Sequence, residues 1–395
     1  MSNTTIFTGN SITSEFDDFS SFFLPKSIDK DQKIINELRL SELPLFIYGV
    51  GDVANAVHEY MQSLNIIVTA FFVDSEYHKQ KCFNGLPCLN LEGVLNQFNL
   101  FNVLIGFANY REGMAYIRGF SAAQNVYCLA NPFATTTKQL NRGFFEANLH
   151  KFRKAYNLFT EPFSRKLYIA YILSQINRDA EELFPFYWRS KESDPSLDAF
   201  FNNDIISLSD NESYFDGGAY KGEDIIRFLS ATGGKYDQII AVEPDIENFN
   251  TLKNVCANIP NIDLYRLGVW SSCKTLTFEN GKGQQSMISE RPGTKNTINI
   301  EVDTIDSIVR DRPLTLLKLN VRASEYMALK GAVKTVRKHR PRIICFLSVA
   351  NDSLFSLPLL IHSIDSAYQF YLRCDYPMFF RVFLYAVNNA SALND

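Results

Sequence analysis

Cysteine is sparse and unpatterned in this sequence. Its seven residues, Cys82, Cys88, Cys128, Cys256, Cys273, Cys345 and Cys374, are odd in number and contain no Cys-x-x-Cys pair. That argues against a zinc ribbon or a disulfide framework, and it predicts reduced thiols in a cytoplasmic protein with no metal site. The five histidines, His58, His78, His150, His339 and His362, lack metal-ligand spacing and read as surface or capping residues. There is no Gly-x-Ser-x-Gly elbow and no P-loop lysine, which removes hydrolase and kinase readings. No apolar run approaches the roughly 20 residues that span a bilayer. Met1 to Asn10 has neither the basic region nor the apolar core of a secretory signal, so none is expected. A net charge of −4 leaves no basic excess for wrapping nucleic acid.

What remains is a globular composition, 46% hydrophobic and 21% charged over 395 residues, long enough for two or three domains. Residues 1–30 are rich in Ser, Thr, Asn and Asp and read as a loose arm. Its Phe16, Phe19, Phe22 and Phe23 are expected to dock on a domain or on a second subunit, so a homodimer is a candidate assembly. Residues 31–135 alternate strands with helices: Leu45–Tyr48, a helix through Met61, Val68–Val73 and Val103–Gly106 predict a Rossmann-like sheet. Gly49 and Gly51 follow its first strand and Asp74 ends its second, about where a dinucleotide fold places its ribose acid. These three are a candidate nucleotide site, the alternative being a structural or docking domain. Residues 136–202 read as a helical connector, with Phe144, Phe145, Leu149, Phe152 and Tyr156 at helical steps. Phe184, Phe186, Tyr187 and Trp188 either roof an acceptor pocket or act as hydrophobic staples.

Residues 203–395 carry the most informative stretch, Tyr214-Phe215-Asp216-Gly217-Gly218-Ala219-Tyr220-Lys221-Gly222-Glu223-Asp224, followed by Ala241-Val242-Glu243-Pro244-Asp245. An apolar strand ending in an acid and a glycine turn, then a helix, then a second strand tipped by an acid, is how a doubly wound sheet holds a nucleoside. Gly217 and Gly218 let the backbone turn and approach a ligand. Glu243 would accept from both ribose hydroxyls. The loop lacks the Gly-x-Gly-x-x-Gly phosphate cradle, and Glu223 and Asp224 in the first helical turn would repel a pyrophosphate. That favours S-adenosylmethionine, cationic at sulfur and without phosphate, over NAD. The plainer alternative is an ordinary glycine turn. Strands are expected at Ser213–Asp216, Gln238–Val242, Asp263–Leu267, Leu314–Leu319 and Arg342–Leu347, closed by Tyr368–Arg373 and Arg381–Val387. Helices are expected at Glu223–Ser230, Ile246–Ala257 and Ser324–His339. The fold class is therefore α/β: two doubly wound Rossmann-like sheets joined by a helical connector, the second with the class I methyltransferase arrangement.

These motifs resemble the FkbM family of S-adenosylmethionine-dependent methyltransferases, in order, from about Asn203 to Asn388. Phe215–Glu223 resembles the family's cofactor loop and Ala241–Asp245 its ribose-binding strand end; Leu267-Gly268-Val269-Trp270 resembles the strand end near the adenine. Leu317–Glu325 and Ala328–Ala332 sit where the family has Lys-Met-Asp-Ile-Glu-Gly-x-Glu and its following helix. The resemblance implies cofactor contacts from Asp216, Gly217, Gly218, Ala219, Tyr220, Glu243, Pro244, Asp245, Gly268 and Val269. It places Asn320, Arg322 and Glu325 at the catalytic positions, and it implies an O-methyltransferase acting on a sugar of a surface polysaccharide or related glycoconjugate. The first sheet is similar to the nucleotide-sugar-binding domain of PglD-type acyltransferases, which implies a nucleotide-sugar at Gly49, Gly51 and Asp74.

The chain departs from the FkbM pattern on the acceptor side. Asn320, Val321, Arg322 and Ala323 replace Asp-Ile-Glu-Gly, Ile344–Ser348 runs into Val349, Ala350 and Asn351 instead of a Tyr-His pair, and Arg381 opens the closing strand. Asn320 neither binds a metal nor takes a proton well. Either Arg322 and Arg381 greet an acidic sugar or a phosphate, or the chain binds the cofactor as a scaffold without transfer. A third reading places nucleotide-sugar chemistry in the first sheet. Asp245, Asp303 and Glu325 are the remaining candidate bases.

Overall fold

Leu45-Phe46-Ile47-Tyr48 and Ala70-Phe71-Phe72-Val73 show no polar alternation, which calls for strands covered on both faces. In a computed structural model of the chain, residues 29–133, 140–186, 200–201, 204–279, 288–289, 297–347, 352–375 and 382–388 are described. The expected arm up to residue 28, with its phenylalanines, lies outside them, as do Tyr187, Trp188, Ser348, Val349, Ala350, Asn351 and Arg381.

The first sheet contains β1 (Leu45–Tyr48), β2 (Ala70–Val73), β3 (Cys82–Phe83), β4 (Leu86–Asn90), β5 (Phe101–Ile105) and β6 (Ala123–Tyr127). Their order is β3-β4-β2-β1-β5-β6, parallel apart from β3. Successive side chains feed opposite cores: Phe46, Tyr48 and Phe72 one, Leu45, Ile47 and Phe71 the other. Three strands were expected here and six are present. The hairpin of β3 and β4 turns at Asn84-Gly85, both at positive φ, 48° and 77°, the signature of a two-residue turn.

The second sheet contains β7 (Ser213–Gly217), β8 (Gln238–Val242), β9 (Ile262–Tyr265), β14 (Leu316–Leu319), β15 (Arg342–Phe346), β16 (Gln369–Cys374) and β17 (Val382–Val387). Its order is β16-β17-β15-β14-β7-β8-β9, with β17 antiparallel between β15 and β16. The chain winds from β7 through β8 to β9 on one side and through β14 to β15 on the other. The reversal falls between β7 and β14, and in such sheets ligands sit at the carboxyl ends beside that point.

The helices Arg142–Ala147, Leu149–Tyr156 and Pro162–Asn177 pack on this second sheet. Tyr168 Oη donates to Leu354 O (3.1 Å) and Tyr171 Oη to Leu347 O (3.0 Å). Thr160 N donates to Phe370 O (3.0 Å), and Leu372 N to Ser164 Oγ (2.9 Å). The bonds from Thr160 and to Ser164 cover the outer edge of β16, which would otherwise present unpaired backbone groups.

Two expectations are corrected. The strand expected at Asp263–Leu267 stops at Tyr265, and Gly268 and Val269 form β10 (Gly268–Val269) of a separate small sheet. There β10 pairs with β13 (Thr297–Asp303), which pairs in turn with β11 (Lys274–Glu279), and β11 with β12 (Ile288–Ser289). The helix expected over Ser324–His339 is two, Glu325–Lys330 and Val333–His339. A Cβ on Gly331 between them would collide with the Trp270 carbonyl oxygen, so the chain packs there backbone to backbone, and Asp306 Oδ1 caps the second helix by accepting from Thr335 N (2.8 Å). Gly331→Ala is expected to cost about 1–3 kcal/mol through overpacking, read as a lower urea midpoint. An unchanged midpoint would mean that this close approach is not what breaks the helix.

Candidate functional site

At the reversal point, β7 ends in Asp216-Gly217 and the chain turns through Gly218 (φ 78°), Tyr220 (φ 50°) and Gly222 (φ 93°) into the helix Glu223–Ala231. Gly218 is required twice, by its left-handed backbone and because a Cβ there would collide with Asn320 O of the neighbouring loop. Gly218 N and Ala219 N both donate to Val242 O at 3.0 Å, which hooks the loop onto the end of β8.

Lys318 is the residue that sequence reading missed. It is wholly buried in β14, and its Nζ lies 2.7 Å from Asp216 Oδ1, 2.9 Å from Asp224 Oδ2 and 3.1 Å from Gly218 O. The signal was a lysine inside the apolar run Leu316-Leu317-Lys318-Leu319, because a charge in a strand covered on both faces needs a partner. Burial alone would lower its pKa, but the attraction of Asp216 and Asp224 holds it above the ordinary lysine value. Burial likewise opposes ionisation of Asp224, yet Lys318 and Arg227 keep it below the ordinary carboxylate value. Asp216 is raised by burial, and its Oδ2 has no hydrogen-bond partner among the described residues. The expectation that Asp224 would repel a phosphate is thus corrected: its charge is paired inward, and of the two acids only Glu223 is exposed.

Glu243 ends β8 with 6% of its surface exposed. Its Oε2 accepts from Tyr220 N (2.9 Å) and its Oε1 from Asp245 N (3.0 Å), so the carboxylate is fixed against the glycine loop. Burial pushes its pKa up to about 7, against the pull of those amides. Pro244 leads into Asp245, which caps the helix Ile246–Val255 by accepting from Glu247 N and Asn248 N, both at 2.9 Å.

Across the reversal point, Asn320 N donates to Gly217 O (2.9 Å), and Arg322 and Ala323 both take left-handed backbone, φ 48° and 66°. Glu325, pushed to about 7 by burial, braces this turn: its Oε1 accepts from Val321 N (2.9 Å). Asp303 is likewise engaged, with Thr304 N (2.7 Å) and Ser307 Oγ (3.1 Å). The structure therefore gathers Asp216–Tyr220, Glu243–Asp245 and Asn320–Glu325 at one end of one sheet. Gly268 and Val269 leave that end of β9 and enter β10. Gly49, Gly51 and Asp74 belong to the first sheet, where Tyr48 Oη donates to Asp74 Oδ2 (2.5 Å) and a Cβ on Gly51 would meet nothing.

Residues 216–377 match the family model described as the methyltransferase FkbM domain. That stretch, less than half of the chain, contains every residue of the second-sheet site. The fold is similar to the crystal structure of methyltransferase FkbM from Methylobacillus flagellatus KT, with a TM-score of 0.62 at 20% identity over 91% of this chain and 94% of that one. The likeness extends over both sheets, so the two-sheet α/β architecture is shared with that FkbM structure. Two other solved structures match less of the chain. One is an rRNA methylase from Streptococcus thermophilus, with a TM-score of 0.30 and 13% identity over 46% of this chain and 89% of that one. The other is Aeropyrum pernix fibrillarin with natively bound S-adenosyl-L-methionine, with a TM-score of 0.29 and 13% identity over 46% and 69%. Likenesses that distant carry no weight for function. No curated protein matches the chain. No helix among the described residues is long and apolar enough to cross a membrane.

Removing Lys318 leaves Asp216 buried with no cation and Asp224 with Arg227 alone. Lys318→Met is expected to cost about 3–5 kcal/mol in chemical denaturation, with part of that loss restored by adding Asp224→Asn. A loss below about 1 kcal/mol would contradict the role given to the triad.

Proposed function

We propose that this protein is a cytoplasmic S-adenosylmethionine-dependent O-methyltransferase, methylating a sugar hydroxyl of a surface polysaccharide or related glycoconjugate. The observation that carries the cofactor half is Glu243, a buried carboxylate fixed by two backbone amides beside the glycine turn at the reversal point of the sheet. Its free lone pairs suit the two ribose hydroxyls, and the open turn at Gly217–Tyr220 suits the amino-acid half. The match to the FkbM domain supports methyl transfer; the sugar acceptor rests on the family resemblance alone.

When bound, S-adenosylmethionine supplies an electrophilic methyl group on a sulfonium that is already a good leaving group, so the chain's own work is chiefly positioning. Lys318 holds the cofactor loop, Glu243 orients the nucleoside, and the 320–323 turn forms the neighbouring wall. The three candidate bases are all engaged in caps or braces. That engagement also favours a second reading, a cofactor-binding scaffold without transfer. For the first sheet we propose a nucleotide-sugar at Gly49, Gly51 and Asp74, supported by the open space over Gly51 and the unpartnered Asp74 Oδ1.

Calorimetry with S-adenosylmethionine is expected to show micromolar binding that Glu243→Ala weakens at least about tenfold, since hydrogen bonds to a charged group contribute roughly 1.5–3 kcal/mol each. Ribose hydroxyls donate to the ionised carboxylate, while the unliganded group titrates at about 7. Binding must therefore displace a proton at low pH, and affinity is expected to be about tenfold weaker at pH 6 than at pH 8. No binding, or affinity that rises on acidification, would contradict the site. Methyl transfer to a crude glycan pool separates the enzyme from the scaffold.

A further inference from the structure

The chain's sheltered arginines are, for the most part, fully engaged. Arg373 pairs with Glu161 and Asp204, Arg342 with Glu212 and Ser207 O, and Arg312 with Asp263 and two carbonyls. Arg322 differs. It is half-buried on the wall of the second-sheet site, yet its guanidinium makes no hydrogen bond and no ion pair among the described residues. Its nearest charged or titratable neighbours are Glu325 and Tyr220. Glu325 offsets it poorly, because that carboxylate is already taken by the Val321 amide and is half protonated near neutrality. Tyr220 itself carries a cation on its ring, with Lys221 Nζ 5.1 Å from the ring centre. Backbone strain accompanies this arrangement, since Tyr220, Arg322 and Ala323 are all non-glycine residues in the left-handed region. Such residues persist where surrounding structure over-determines them, often at ligand sites. Removing five N–H donors from water without a partner is costly, and a planar guanidinium is matched by a carboxylate or a phosphate.

We propose that Arg322 binds an oxyanion at the mouth of the cofactor cleft. The inference rests on the methyltransferase reading and sharpens it. The oxyanion has two possible sources, the carboxylate of the cofactor's amino-acid half or an acidic group on the acceptor.

The test is calorimetry on full-length wild type, Arg322→Gln and Arg322→Lys, with S-adenosylhomocysteine and with 5′-methylthioadenosine, which keeps the nucleoside but lacks the carboxylate. If the cofactor supplies the anion, Arg322→Gln weakens S-adenosylhomocysteine at least tenfold and leaves methylthioadenosine unchanged. If the acceptor supplies it, S-adenosylhomocysteine binds both proteins equally. The saturated wild type then binds glucuronate or inorganic phosphate at least tenfold better than glucose, Arg322→Gln loses that preference and Arg322→Lys keeps part of it. Equal binding of S-adenosylhomocysteine together with no preference for either anion overturns the proposal. If neither nucleoside binds the wild type, the methyltransferase reading fails. Melting in phosphate against chloride at equal ionic strength then decides Arg322 on its own: phosphate stabilises the wild type but not Arg322→Gln, or the proposal fails too.

Discussion

One ammonium group organises the second sheet. Lys318 Nζ reaches two carboxylates and a carbonyl from three different segments, the end of β7, the turn after it and the helix that follows. A buried ion pair gives little net stability, since desolvation offsets most of the attraction. What it gives here is placement. Asp216 and Asp224 cannot leave without exposing Lys318 to an apolar interior, so the intervening turn keeps one path. Asp216 Oδ2 is left without a hydrogen-bond partner among the described residues.

That fixed path makes the rest of the site possible. With the turn anchored, the Tyr220 amide can hold Glu243, and Gly218 can lie against the Asn320 carbonyl. The left-handed turn at Arg322 and Ala323 is in turn held by Glu325. The three candidate bases are already engaged: Asp245 caps a helix, Asp303 accepts from Thr304 N and Ser307 Oγ, and Glu325 holds the Val321 amide. On the reading proposed above, the glycine turn and Glu243 would form the nucleoside side and the 320–323 turn, with Arg322, the acceptor side.

The α/β class and the second sheet were legible because each strand end bears a physical signature: an acid after an apolar run at Asp216 and Glu243, and glycine where backbone must meet backbone. Fully covered strands show as unbroken apolar runs, and these were read with little error. Four features were less legible. The Asn84-Gly85 hairpin was overlooked although its turn chemistry is plain. The β11–β13 ribbon alternates polar and apolar residues, as in Thr275-Leu276-Thr277 and Ile298-Asn299-Ile300, a period that stands apart from the unbroken apolar runs of the parallel strands on either side. The break at Gly331 was not visible locally, because its cause, the Trp270 carbonyl, lies 61 positions earlier in the chain. Lys318 was in view, but its partners are about 100 residues away and only the fold brings them together.

The most direct measurement is a crystal structure of the protein grown with S-adenosylhomocysteine. The expected result is ribose hydroxyls on Glu243, the amino-acid half along Gly217–Tyr220 and the Lys318 triad undisturbed. Ligand ordered elsewhere, for example against Gly49, Gly51 and Asp74 of the first sheet, with Glu243 uncontacted, would contradict it.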